Sequence, residues 1–173
     1  MAHIHTKPGQ HDHTASAYII RLDTPEPTIV LHMHKKFGLY IQFGGHIELD
    51  ETPWQAIAHE LVEESGYDLS QLKLLQPKDR MKKINSAALH PYAVCHNTHA
   101  IGDAHYHTDI AYAFITHEPP KAKVAPGESE DIRLFTQKEL SVMPDMQVRD
   151  VANFVFDTCL EKWEAVSPSE FEL

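Results

Sequence analysis

Cysteine, arginine and long apolar runs are all scarce in this chain, and each scarcity excludes something. Only Cys95 and Cys159 occur in 173 residues, and neither sits in a CxxC or Cys-His spacing. A secreted disulfide framework and a thiolate zinc site are therefore not expected, and two reduced, mostly buried thiols suit a cytoplasmic protein. No apolar run approaches the 18 residues of a membrane span, and no charged, apolar, small-residue opening marks a signal peptide. There are 15 basic side chains, four of them arginine, against 25 acidic ones, for a formal net charge of −10. Broad electrostatic binding to nucleic acid or an anionic membrane is not expected of such a chain. Internal repeats and a dividing linker are also missing, and the length suits one domain able to bury a core.

Histidine is in excess, with 14 copies. The net charge should therefore change steeply between pH 6 and 7. Four of these histidines (His3, His5, His11 and His13) fall in residues 1–14, which have no apolar periodicity. Residues 1–14 are expected to be a flexible, His-rich terminus, 15–165 a single domain, and 166–173 a short C-terminal tail.

Ala17–Leu22 and Thr28–Met33 are β-rich runs joined by the turn Thr24-Pro25-Glu26-Pro27, and Tyr40–Phe43 is a third run stopped by Gly44-Gly45. The period then changes. Trp54, Ile57, Ala58, Leu61 and Val62 recur at helical spacing. Thr52 and Gln55 form a capping-box pair, Pro53 suits the first helical position, and Gly66 suits a left-handed end. Strands are expected at His90–Cys95, Tyr106–Thr116 and Ile132–Phe135, then a helical turn at Gln137–Leu140. A last helix is expected from Met146 to Trp163, capped by Asp145, with Val148, Val151, Ala152, Val155 and Cys159 inward. Strands interleaved with two main helices predict an α/β or α+β sandwich.

The polar face of the Pro53–Ser65 helix carries Glu60, Glu63 and Glu64 at i, i+3 and i+4. Between Lys36 and Lys73 there is no lysine or arginine to relieve them, while Glu48, Asp50, Glu51 and Asp68 add further negative charge. An oxygen-rich, thiol-free cluster suits a hard divalent cation, Mg²⁺ or Mn²⁺; a solvated acidic face is the plainer alternative. The glycine pair before the helix would let backbone approach a metal or phosphate closely.

The spacing adds to this. Gly45, five residues, Glu51, seven residues, then His59-Glu60-Leu61-Val62-Glu63-Glu64-Ser65-Gly66-Tyr67 resembles the Nudix box. One fixed position departs: the family's arginine is His59. His34-Lys35-Lys36-Phe37-Gly38-Leu39-Tyr40-Ile41-Gln42-Phe43-Gly44-Gly45-His46-Ile47-Glu48 is similar to a segment of a bacterial Nudix subgroup. His105-Tyr106-His107-Thr108-Asp109 resembles that subgroup's His-x-His-x-Asp strand, and Glu130–Leu140 resembles the strand-then-Glu-Leu segment near the Nudix C-terminus.

The resemblance implies an α/β/α sandwich with a mixed β-sheet between helices. It also implies hydrolysis of a nucleoside diphosphate linked to another moiety. Carried over by position, Glu60, Glu63, Glu64 and the Gly44 carbonyl would bind Mg²⁺ or Mn²⁺. One of these glutamates, or a later carboxylate (Glu128 first, Glu130 second), would orient or deprotonate the attacking water. Glu51 would orient rather than ligate, and Lys36 would reach a substrate phosphate. His59 offers at most two donors and is charged only when protonated, a state that neighbouring carboxylates favour. It can then do part of an arginine's work. A homodimer is expected only because homodimers are common among relatives.

His105, His107 and Asp109 share a strand face and admit three readings: a Zn²⁺-type site, a substrate-contacting wall, or an ordinary polar face. The net-basic loop Lys78–Lys83 either contacts phosphate or is solvated. The function alternatives are a Nudix-like module that binds nucleotide without hydrolysing it and a His-rich metal-binding protein.

Overall fold

The computed structural model describes residues 7–102 and 105–172. Its sheet comprises β1 (His11–Arg21), β2 (Thr28–His34), β3 (Leu39–Ile41), β4 (Phe43–His46), β5 (Lys73–Gln76), β6 (Cys95–Ile101), β7 (His105–Thr116), β8 (Ile132–Thr136) and β9 (Glu164–Val166). The main path runs β3-β2-β1-β7-β5-β9, with β4 on β1, β6 on β7 and β8 on β2. β1 and β7 are parallel from His11↔Tyr106 to Arg21↔Thr116, and the other pairings are antiparallel.

Side chains alternate along these two central strands, so the sheet buries both faces. Ala15, Ala17 and Ile19 join Tyr112 and Phe114 in one core, against Trp54, Ala56, Ile57 and Leu61. Tyr18, Ile20, Ala111 and Ala113 form the other core with Val148, Val151, Ala152 and Val155. The first face is thus covered by α1 (Pro53–Glu60) and the second by α3 (Met146–Phe154), with the short α2 (Gln137–Leu140) between β8 and α3. The architecture is the α/β/α sandwich around a mixed sheet that the box resemblance implies.

The ends of α1 form as their sequence directs. Thr52 Oγ1 accepts from the Gln55 N–H at 3.2 Å while Gln55 Oε1 accepts from the Thr52 N–H at 2.8 Å. After Glu60 the helix widens into an i→i+5 turn over Leu61–Ser65, and Gly66 ends it at φ 73°. A β-carbon on Gly66 would lie 2.3 Å from the Ala122 carbonyl oxygen, so the site needs glycine for space as well as for φ. The apolar stripe differs from the expected one: Ala56 is buried, Ala58 is half-buried, and Val62 faces outward.

Several expected boundaries change. β1 starts at His11, so residues 11–14 belong to the sheet and not to a flexible terminus; residues 1–6 lie outside the described residues. Apolar patterning misses this strand's beginning because its buried side chains there (Asp12, Thr14 and Ser16) are polar. Likewise the described residues 166–172 are no free tail, since Val166 pairs in β9 and Phe171 packs on Trp54. The strand expected at His90–Cys95 instead begins at Cys95. The last helix widens over Val155–Cys159 and closes with Leu160–Lys162 before Glu164 turns back into strand. Arg80, in the supposed basic loop, is buried and ion-paired to Glu164 and Glu170. It anchors the C-terminal segment. Both cysteines are free, and burial pushes the Cys159 thiol up to about 12.

Candidate active site

Glu60, Glu63 and Glu64, which α1 and its widened turn present, line a cavity of about 500 Å³. Gly44 and Gly45 of β4 line it too, as does Glu128 from the loop between β7 and β8. A β-carbon on Gly45 would stand 1.9 Å from Glu60 Oε1, so the missing side chain makes room for a carboxylate. The Gly44 N–H donates to Glu64 Oε2 at 2.8 Å.

Glu128 arrives through backbone contacts. The Ala122 N–H donates to the Gly66 carbonyl at 3.2 Å and the Ala125 N–H to the Glu63 carbonyl at 2.7 Å. Lys35 Nζ donates to the Gly127 carbonyl at 2.5 Å. The loop is thereby pinned to the far end of the carboxylate helix, and Glu128 faces the cavity. Glu130 is exposed and does not line it.

Crowding four carboxylates in a partly buried site makes their charge costly. Burial, reinforced by Glu60, Glu128 and Glu63, pushes Glu64 up to about 8 despite the Gly44 hydrogen bond. Burial also raises Glu60, with Glu63 and Glu128 adding and His59 opposing. Behind Glu64 stands His32, 3.8 Å away and held down to about 4 by burial, hence neutral at physiological pH. Lying inside an apolar strand run, His32 carries no motif signal in the sequence.

His59 bridges two carboxylates. Its Nδ1 lies 3.3 Å from Glu51 and its Nε2 lies 3.5 Å from Glu60. Glu51 is outside the cavity lining.

The opposite wall comes from the sheet. His99, His107 and Asp109 line the cavity with Thr14 and Ser16. Asp109 Oδ1 accepts from Thr14 Oγ1 and Ser16 Oγ, both at 2.8 Å, and its burial raises its pKa against those hydrogen bonds. Burial first, then His46, His99 and His105, holds His107 down to about 4. His105 and Lys36 stand apart from this wall. They line an adjoining cavity of about 300 Å³ that shares His34, His46, Glu64, His107 and Glu128 with the first. Trp54 is fully buried in the core, and the half-buried Tyr40 donates its hydroxyl to Asp131 at 2.7 Å.

A family profile described as the NUDIX domain matches residues 12–157, most of the chain. The chain belongs to the Nudix family. Among solved structures it is similar to a NUDIX-family hydrolase from Clostridium perfringens, at 26% identity and TM-score 0.66, covering 85% of this chain and 97% of that one. It shares its fold with a C. elegans Ap4A hydrolase in a binary complex, at 15% identity and TM-score 0.62, covering 86% and 98%. The NUDIX domain of Shewanella oneidensis NrtR, complexed with ADP ribose, matches at 13% identity and TM-score 0.61, covering 84% and 88%. Curated proteins furnish no match. As a Nudix hydrolase the protein acts on pyrophosphate bonds. Among the described residues no helix is long and apolar enough to cross a membrane.

Proposed function

We propose that this Nudix hydrolase cleaves the pyrophosphate of a nucleoside diphosphate linked to another moiety, using a divalent cation and an attacking water. The observation that carries the reading is the convergence of Glu60, Glu63, Glu64 and Glu128 on one cavity floored by Gly44 and Gly45. The donor set fits a hard cation, because those side chains offer only oxygen and Glu64 is half-buried among like charges. When bound by Glu60, Glu63, Glu64 and the Gly44 carbonyl, Mg²⁺ or Mn²⁺ would neutralise phosphate oxygens and lower the pKa of a water.

The chain's own groups supply the rest. Glu128, on its pinned loop, accepts a proton from the water as its oxygen attacks phosphorus and the bridging P–O bond breaks. Glu63 or Glu64 is the alternative acceptor. Glu51 and His59 hold Glu60 in place, so all three shape the site, with His59 and Glu60 facing the cavity and Glu51 behind them. His99 and His107 form the wall for the far part of the substrate. Asp109 works through Thr14 and Ser16, while Lys36 and His105 serve the adjoining cavity. Ap4A and ADP ribose, named for two proteins of the same fold, motivate a panel of dinucleotides and nucleoside diphosphate derivatives as substrates.

With that panel and Mg²⁺ or Mn²⁺, wild-type protein should release a nucleoside phosphate. Glu63→Gln and Glu64→Gln should each lower turnover by 10²-fold or more. Nucleotide binding without turnover by the wild type would instead assign a silent binding module.

A further inference from the structure

Beyond the carboxylate cluster, a second group of side chains meets across the central strands. The parallel register sets Asp12 of β1 level with His107 of β7, and strand alternation puts His105 on the same face. One donor atom from each of Asp12, His105 and His107 lies within 4.8 Å of the other two. Asp12 Oδ2 and His105 Nε2 are 3.5 Å apart. Tetrahedral ligands about 2.0–2.1 Å from an ion stand about 3.4 Å from one another, so small side-chain rotations would close the set.

Two of these atoms lack the partners that burial normally demands. Asp12 is 2% exposed and His105 9%, yet Asp12 Oδ2 and His105 Nε2 make no hydrogen bond. Asp109, the carboxylate expected beside these histidines from spacing, is taken by Thr14 and Ser16. Asp12, from the stretch expected to be flexible, stands in its place. A simple His105–Asp12 ion pair does not account for His107 holding a third donor atom within reach of both, whereas a third donor is what a metal requires.

We propose that Asp12, His105 and His107 bind a borderline divalent transition ion, Zn²⁺ above all, at a site whose nitrogen and oxygen donors set it apart from the all-oxygen glutamate site. Imidazole nitrogens favour such ions over Mg²⁺. Three protein donors leave a coordination position open, and His107 also lines the glutamate cavity. A substrate anion in that cavity can complete the set. His46, with Nε2 3.8 Å from Asp12 Oδ2, borders the site on the β4 side.

The test titrates full-length, chelator-stripped protein with Co²⁺ and then Zn²⁺ under saturating Mg²⁺. The background carries His3→Ala and His5→Ala, so that terminal histidines do not contribute. One equivalent of Co²⁺ should bind with the intense visible absorption of four-coordinate nitrogen–oxygen ligation, and Zn²⁺ should displace it. Asp12→Asn, His105→Gln and His107→Gln should each weaken binding 100-fold or more, while Glu63→Gln leaves it intact. The wild-type spectrum is decisive even if a variant fails to fold. No visible band, a band of octahedral weakness, or undiminished uptake by folded His105→Gln would overturn the proposal. Loss of binding with Glu63→Gln would assign the ion to the glutamates and overturn it equally.

Discussion

At residue 59 a histidine spans the gap between Glu51 and Glu60 that an arginine fork fills in the box consensus. An imidazole donates from both nitrogens only while it carries two protons. The bridge positions the Glu60 carboxylate, so His59→Ala should lower kcat/KM severalfold while His59→Arg, with its own fork of donors, keeps it. Equal kcat/KM in wild type and His59→Ala would contradict the bridging role. The box made this residue legible, because one odd letter in a fixed pattern is conspicuous. Asp12 was not legible, since its significance lies in His107 and His105, which a sequence window around residue 12 does not contain.

Among the elements, the carboxylate helix was the most readable, from Thr52 and Pro53 at its start to Gly66 at its end. Its signals are local, and the physics that uses them is local too. Thr52→Ala removes the hydrogen bond that Oγ1 accepts from the Gln55 N–H and should cost about 1 kcal/mol. In urea titrations the midpoint should fall with the slope unchanged, and the melting temperature should drop by ~2–4 °C. Elements built on distant pairing were read poorly. The first four residues of β1 have polar buried side chains alternating with histidines, and β9 is three residues held by β5 and Arg80. The widening over Leu61–Ser65 has no signature in apolar spacing.

For the whole molecule, the proposed cation site would link metal binding to folding through Glu64. Its carboxyl is held at about 8, above the ordinary 4.5, chiefly by burial. A group raised in the folded state stabilises it fully below its ordinary value, and that contribution is lost as pH rises through the folded value. Cation-free protein should thus be less stable to urea at pH 9 than at pH 6. Glu64→Gln should flatten the dependence, and millimolar Mg²⁺ should restore wild-type stability at pH 9. Equal midpoints at both pH values in chelator would contradict the linkage. The sandwich itself followed from the box, whereas the cavity's far wall depended on a strand register that no single segment encodes.

That register also governs when the site can exist. The Thr14–Asp109 bond joins residues 95 apart, and the parallel ladder around it closes only after β7 is made. Loop closure of that span is slow compared with helix formation, so α1 can form long before its opposing wall. On the ribosome, the glutamate helix will wait for most of the chain, and the cavity will be among the last features of the molecule to appear.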